Sequence, residues 1–510
     1  MKRLYLLLLL LPLLLVGCKT QKALSNKEYT QQANSQVYQP QKRQFRGAWI
    51  PNAWRGEFQG KSTHYIQAKL IERLDLLQQL GANAVIFQVR SEADAWFYSP
   101  YEPWSRTLTG QQGVAPQPLW DPLAFMVAEC HKRGMELHAW INPYRAATNI
   151  ISNTLAPQHP YYRHPEWFFR YGQQLFFNPA LPEVIHYLSQ VVDDLVERYD
   201  IDAIHLDDYF YPYPIAGEVL PDRADFERNP RGFKAIEEWR RDNVNQLIQE
   251  LHRTIKARKP YVRLGISPFG IYRNQRSHPS GSATFGLQNY DDLYADILLW
   301  DAMGWVDYIV PQIYWEIGHK AAEYTELARW WSQKIHLAHY YIGQDVKRSL
   351  DANDLHAKLN ISAQTAQGDI LWPADQLFTN YKGINKQLLN TYWKPIALIP
   401  PTPYPADLRP FDEPERDTSL IKQQGLTTLY WEPDMPYPAG LETKYFVVYM
   451  HPRGEKLQKA ISGEHLLAIT QDPFFQLPHI DGRHKVAFTI TRINRYNHEI
   501  LIAHGIKAKI

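Results

Sequence analysis

The chain has 510 residues, with 55 Lys and Arg against 53 Asp and Glu and a formal charge of +2. That balance argues against nucleic acid or an anionic membrane surface as the main partner, since both call for a basic patch. Two cysteines exclude a disulfide scaffold and a Cys-rich zinc module, which leaves the 16 Trp and 32 Tyr as the feature to place.

Lys2 and Arg3 precede an apolar run from Leu4 to Val16, which is short for a membrane span and fits a signal-peptide core. The run ends Leu15-Val16-Gly17-Cys18, which resembles a bacterial lipobox with Cys18 as the lipid attachment site. The expectation is a signal peptide over 1–17 and a membrane anchor at Cys18, held by two or more acyl chains. Residues 18–44 are polar, rich in Gln and without period, and read as a flexible tether. Lys19-Thr20-Gln21-Lys22 carries no acidic cluster, which favours a cell-envelope location, lipid-anchored in the outer membrane and facing the periplasm. Cys130 sits in a helical pattern and reads as a small buried hydrophobe.

From residue 45 short β-rich runs alternate with segments of helical period. The predicted strands are Phe45 to Ile50, Ala84 to Val89, Met135 to Ile141, Ala203 to Leu206, Val262 to Ile266, Tyr308 to Ile313, His339 to Ile342 and Asp369 to Trp372. Between them, Ser62 or Thr63 and Gly81 bracket one helix, and Asp121-Pro122 and Gly134 a second. Pro182 opens another, a long one runs through Ile236 to Ile255, and one begins at Asp291 and ends near Gly304. This alternation predicts a (β/α)8 TIM barrel over 45–400, with insertions after the second, third and fourth strands. A doubly wound sheet would want a glycine-rich turn after the first strand, where Pro51-Asn52-Ala53-Trp54 stands instead.

Ile399-Pro400-Pro401-Thr402-Pro403-Tyr404-Pro405 reads as a stiff linker. Beyond it, Leu426 to Trp431, Tyr445 to Met450 and Lys485 to Ile493 have β character, and Val486, Phe488 and Ile490 alternate with polar residues. Residues 405–510 are expected to form a small all-β, fibronectin type III-like sandwich.

A TIM barrel carries its chemistry at the C-terminal ends of its strands. Those ends deliver Gln88, Arg90, Glu92 and Asp94; Trp140, Asn142, Tyr144 and Arg145; His205, Asp207, Asp208, Tyr209 and Tyr211; Ser267; Gln312, Tyr314, Trp315 and Glu316; and Trp372. Aromatic faces suit sugar rings, amides and carboxylates suit hydroxyls, and paired carboxylates supply glycosidic hydrolysis. The sharpest constellation is His205-Leu206-Asp207-Asp208-Tyr209, where period two puts His205 and Asp207 on the face toward the barrel axis. Asp207 or Asp208 would be one catalytic carboxylate. Glu316 is the expected partner, with Asp94 in reserve. Arg90, Glu92, Asn142, Tyr144, Arg145, His205, Tyr209, Gln312, Tyr314 and Trp315 would bind substrate. A lone Asp in such a place is as often a cap or an ion-pair partner, and Glu316 could be a solvated loop residue. No His-x-His, His-Glu-x-x-His or Gly-x-Ser-x-Gly occurs, so no metal, cofactor or serine nucleophile is expected.

The runs Phe45-Arg46-Gly47-Ala48-Trp49, Phe87-Gln88-Val89-Arg90, Glu102-Pro103-Trp104-Ser105, His138-Ala139-Trp140-Ile141-Asn142-Pro143-Tyr144-Arg145, His205 to Pro212, Ser267-Pro268-Phe269-Gly270 and Pro311-Gln312-Ile313-Tyr314-Trp315 resemble the glycosyl-hydrolase-like 10 family, in order over residues 43 to 400. The resemblance implies a glycosidase-like TIM barrel on exported bacterial proteins, and a substrate such as peptidoglycan glycan strands stripped of their stem peptides. The family's Arg-Pro-Asp-Gly-Asp is here Arg90-Ser91-Glu92-Ala93-Asp94, so the outer residues match and Glu92 departs. The expected function is an envelope-anchored glycoside hydrolase acting on such a polysaccharide by two carboxylates. The alternatives are a non-catalytic glycan-binding lipoprotein and a glycosidase for an imported dietary or host glycan.

Overall fold

The computed structural model describes residues 24–53, 56–151, 154–408, 413–423, 426–477 and 484–509. The expected signal segment 1–17, the anchor Cys18 and the strand-end Trp54 lie outside them.

Eight parallel strands close a barrel. They are β1 (Phe45–Ile50), β2 (Ala84–Arg90), β3 (Glu136–Ile141), β4 (Ala203–Leu206), β5 (Arg263–Ile266), β6 (Tyr308–Ile309), β7 in two segments (His339–Tyr340 and Ile342–Asp345) and β8 (Gly368–Trp372). The first segment of β7 pairs with β6 and the second with β8, and β8 returns to β1. The β1 and β2 positions are all buried because helices cover one face and the lumen occupies the other. β6 is shorter than expected: Pro311 has no N–H to extend the ladder.

Alternate residues fill the lumen. Phe45, Trp49, Ile86, Trp140, Tyr308, Val310, Tyr341 and Ile370 form one apolar cluster, separate from the larger one under the helices. Rings this large need small neighbours. A Cβ on Gly265 would stand 1.8 Å from the Tyr308 ring, and one on Gly47 2.8 Å from Phe45. Part of the aromatic load is therefore barrel filling.

The helix signals act as predicted. In α2 (Thr63–Leu80), Ser62 Oγ accepts the Tyr65 amide and Gly81 closes the helix at φ 89°. In α3 (Pro122–Lys132), Asp121 caps ahead of a first-turn proline. α4 (Pro182–Arg198) and α5 (Ile236–Arg258) follow β3 and β4. The helix expected from Asp291 to Gly304 is broken, with Asn289–Asp292 and α6 (Ile297–Ala302) separated where Tyr294 takes φ 55° and Asp296 caps the restart.

Two segments differ from expectation. Within the stretch read as a tether, Asn26–Ser35 is a helix, α1, with a Ser25–Glu28 capping box. It lies against α7 (Tyr324–Ser332) and α8 (Leu355–Thr365): Asn26 donates to Glu326 at 2.9 Å, Thr30 meets Thr325 at 2.8 Å, and Asn360 donates to the Ala33 carbonyl at 2.9 Å. Polar side chains hid it, because it docks by hydrogen bonds rather than by an apolar stripe. The proline segment is no free linker either. Ile399 is buried at the barrel floor, and the Thr402 amide donates to the Tyr496 carbonyl.

The C-terminal region is a two-sheet antiparallel sandwich. One sheet orders β9 (Thr418–Gln423), β10 (Leu426–Trp431) and β13 (Phe474–Gln476); the other orders β12 (Leu466–Thr470), β11 (Thr443–Pro452), β14 (Lys485–Asn494) and β15 (Glu499–Lys509). Three strands facing four is the fibronectin type III arrangement. The sandwich seats on the N-terminal end of the barrel. Lys444 of β11 reaches Glu136 at 2.5 Å and Asp202 at 2.6 Å, Asn497 donates to Glu136 at 3.0 Å, and Arg495 pairs with Asp200 at 2.8 Å.

Candidate active site

At the opposite end, the C-terminal ends of the strands surround a cleft of about 580 Å³. Its lining includes Trp49, Gln88, Trp140, Arg145, Asp207, Asp208, Tyr209, Tyr213, Ser267, Gln312, Tyr314 and Trp372. Strand alternation explains the set. Trp49, Gln88, Trp140, Asp207, Ser267, Gln312 and Trp372 continue the inward-facing parity of their strands past the lumen filling.

Asp207 is held in place from several directions. Asn142 Nδ2 stands 3.0 and 3.1 Å from its two oxygens, Trp140 Nε1 donates at 3.2 Å, and the Tyr209 amide at 3.3 Å. Asp208, the next residue, accepts from the Tyr213 hydroxyl and has Gln312 alongside. The two carboxyls are 4% and 6% exposed. Burial raises both above the usual carboxylate range. For Asp207 the Arg145 charge and the Asn142 and Trp140 hydrogen bonds oppose the rise. For Asp208 the neighbouring Asp207 charge adds to burial and lifts it from 3.8 to about 6. Two adjacent carboxyls in unequal surroundings have their titrations pushed apart.

The remaining expected site residues fall into three places. Arg145, Tyr209, Gln312 and Tyr314 line the cleft with the two aspartates. Arg145 lies over the Tyr209 ring at 5.0 Å and donates to the Ser91 carbonyl at 3.0 Å. Asn142 and His205 stand beneath the cleft. His205 is fully buried among Trp49 Nε1 (3.1 Å), Tyr308 Oη (2.9 Å) and Ser267 Oγ (3.0 Å), and burial holds it well below the usual imidazole range. It is a neutral support for Trp49, not a substrate contact.

Arg90, Glu92, Asp94, Tyr144 and Glu316 are not in the cleft. A bulge between Gln88 and Arg90 shifts the β2 register, and Arg90 instead forms a fully buried bidentate pair with Glu102 at 2.7 and 2.8 Å. Glu92 accepts from Thr148 and lies 3.6 Å from Arg106. Asp94 closes its own turn through the Glu92 amide at 3.2 Å. Tyr144 is fully buried. Glu316 lies on the side of Asp354 and Lys358, so it is not the carboxylate across from the aspartate pair. Trp315 stands just outside, 5.4 Å from the Phe269 ring, in a wall that continues to Tyr213.

Trp49, Gln88, Trp140, Ser267 and Trp372 lie on predicted strands or at their ends and needed only the inward parity to be assigned to the cleft. Tyr213 had a weaker signal, the alternation Tyr209, Tyr211, Tyr213. That alternation misleads for Tyr211, whose buried hydroxyl accepts from Asn243 at 3.0 Å.

The chain is similar to several known proteins. The chain is 38% identical over 476 residues to glycosyl hydrolase YngK of Bacillus subtilis (strain 168), covering 90% of this chain and 92% of that one. It is 34% identical over 421 residues to glycosyl hydrolase DigH of Escherichia coli (strain K12), covering 72% and 92%. Among solved structures, the glycoside hydrolase domain of PgaB (BpsB) from Bordetella bronchiseptica aligns with 12% identity and a TM-score of 0.44 over 69% of this chain and 99% of that one. The profile of the Glycosyl hydrolase-like 10 family matches residues 44–359, the span that builds β1 to β7 and carries every cleft residue named above except Trp372. The chain belongs to the Glycosyl hydrolase-like 10 family.

Proposed function

We propose that the chain is a glycoside hydrolase that cleaves a polysaccharide in the cleft above the barrel, with Asp207 and Asp208 carrying the chemistry. The observation behind this reading is the aspartate pair itself. Two neighbouring buried carboxyls, one braced by amide, indole and arginine, the other raised to about 6, supply a charge and a proton side by side. Asp208 delivers its proton to the glycosidic oxygen. Asp207 stays ionised and balances positive charge at the anomeric carbon. Trp372, Trp140, Tyr209, Tyr213 and Tyr314 offer faces and edges to sugar rings, and Gln312 and Arg145 offer donors to hydroxyls.

The preferred substrate is cell-wall glycan, the denuded strands of peptidoglycan, reached from a lipid anchor at Cys18 on the periplasmic face of the outer membrane. The near-neutral charge and the family membership support a carbohydrate partner. The test is to incubate the purified mature chain with stripped glycan strands and with unrelated polysaccharides and to weigh the products. Release of oligosaccharides from stripped strands by the wild type, absent in Asp208→Asn, is the expected result. Binding without turnover would make the chain a glycan-binding lipoprotein instead. Release from membranes by Cys18→Ala tests the anchor.

A further inference from the structure

Hydrolysis by two carboxylates needs them on opposite sides of the scissile bond, about 5 to 5.5 Å apart for retention and 6.5 to 9.5 Å for inversion. Among the described residues, Asp207 and Asp208 are the only carboxylates that line the cleft. They come from consecutive Cα atoms, about 3.8 Å apart, at the end of one strand. They therefore stand on one wall. The rest of the lining, Trp372, Tyr314 and Gln312 included, supplies no group that can act as a carboxylate nucleophile or base.

The floor of the cleft supplies a second observation. Trp49, Trp140 and Trp372 meet edge to face, with ring centroids 6.3 Å (Trp49–Trp372) and 6.0 Å (Trp140–Trp372) apart, and Tyr314 lies parallel to Trp372 at 6.5 Å. This aromatic box adjoins Asp207, because the Trp140 N–H donates to the Asp207 carboxylate. An ionised acceptor beside a small apolar box matches an acetamido group, whose N–H needs an acceptor and whose methyl needs an apolar seat.

We infer that the substrate's own 2-acetamido group is the nucleophile, with Asp207 orienting it from its N–H, the Trp49–Trp140–Trp372 box seating its methyl, and Asp208 acting as acid and then base. The inference rests on the glycosidase reading above and narrows its substrates to glycans with a 2-acetamido-2-deoxy sugar on the non-leaving side of the cleaved bond.

The steps balance. The Asp208 proton passes to the glycosidic oxygen, the C1–O bond breaks, and its electron pair leaves on that oxygen as the alcohol of the departing sugar. The acetamido carbonyl oxygen forms a new bond to C1, giving a bicyclic oxazolinium ion whose charge the Asp207 carboxylate offsets. Water then loses a proton to the Asp208 carboxylate and attacks C1, the oxazoline C1–O bond breaks, and the acetamido group is restored. One water is consumed, Asp208 ends protonated, and the anomeric configuration is retained.

The experiment compares glycan strands, or aryl glycosides of the same sugar, carrying acetamido, mono-, di- and trifluoroacetamido groups. Fluorine withdraws electrons from the carbonyl oxygen, so each step up the series is expected to slow turnover, with a total loss of at least a hundred-fold and retained anomeric configuration by NMR. A thiazoline analogue of the bicyclic intermediate is expected to bind wild type at least ten-fold more tightly than the parent sugar, and Asp207→Asn is expected to erase that preference. Turnover that is insensitive to fluorination, undiminished on the 2-hydroxy sugar, or inverting would overturn this inference and leave the glycosidase reading standing. Hydrolysis of no glycan in the series, nor of any other polysaccharide, would overturn the glycosidase reading and this inference with it.

Discussion

The two ends of the barrel treat the same side chain in opposite ways. At the N-terminal end, Glu136 and Asp202 are buried, and burial alone would raise them. Arg263 and Lys444 outweigh it for Glu136, and Lys444 and His131 for Asp202, so both are held below the usual carboxylate range. At the C-terminal end, Asp207 and Asp208 are buried with one nearby arginine between them, and both are raised. The acids at the floor have dedicated cations and fasten the sandwich to the barrel, whereas the pair in the cleft has no ion pair of its own among the described residues. The floor is closed by the sandwich domain, whose Lys444 completes the ion network. The top is left open, with its charges held by amides, indoles and hydroxyls that do not neutralise them.

That contrast can be broken most directly at Asp208. Asp208→Asn is expected to lower turnover of stripped glycan by about 10²- to 10⁴-fold, the usual worth of a positioned general acid. Circular dichroism should show an unchanged fold. Full activity in this variant would dissolve the distinction between the ends. At the floor, Lys444→Met leaves Asp202 and Glu136 short of a cation and should cost about 3–5 kcal/mol in denaturant unfolding. Activity per folded molecule should hardly change, because the cleft lies at the other end. A loss of activity without a loss of stability would mean that the floor communicates with the site.

Asp208→Asn should also stabilise the fold. The folded carboxyl is raised from 3.8 to about 6, so stability associated with it is fully present below 3.8 and is lost as pH rises through about 6. At neutral pH the neutral amide removes that penalty, a gain on the order of 2 kcal/mol for a group so buried. Glu136 and Asp202 carry the opposite sign. Their contribution is present above 4.5 and 3.8 and is lost as pH falls toward their depressed folded values. The smallest effect is in the pH profile of the wild type. Activity should decline as pH rises through about 6, as Asp208 loses its proton, and should decline again in acid as Asp207 gains one. Asp208→Asn should lack the upper limb. An upper limb that persists in this variant would assign the proton to another group.

Much of the site was legible residue by residue. Asp207 and Asp208 stand at the end of a β-rich run flanked by tyrosines, and the strand period alone turns Asp207 inward. Gln312 and Tyr314 follow from the same parity continued past the end of β6. The position of Glu316 was not legible. Glu316 shares that parity, but the chain turns after Tyr314 and carries it toward Lys358. Arg90 shares the parity of Gln88, but a one-residue bulge carries it to Glu102. Turns and bulges are settled by what they pack against, so a count along one strand fails where the strand stops being regular. The helix of residues 26–35 was missed for a related reason. Its partners are hydrogen-bonding side chains about 300 residues away, which leave no apolar period behind.

By itself the sequence determined the order of β-rich and helical segments, the helix caps at Ser62 and Asp121, the alternating strands of the sandwich and the inward parity that gathers Trp140, Asp207 and Gln312. These depend on local geometry, which repeats every two residues in a strand and every 3.6 in a helix. Only the tertiary structure decided which buried acids meet a cation and which do not. Lys444 and Glu136 are 308 positions apart in the chain and meet only because the sandwich folds back under the barrel. The unpaired state of the aspartate pair depends equally on what the closed barrel keeps away from it, since a carboxylate's pKa is set by every charge and dipole around it and not by its neighbours in sequence.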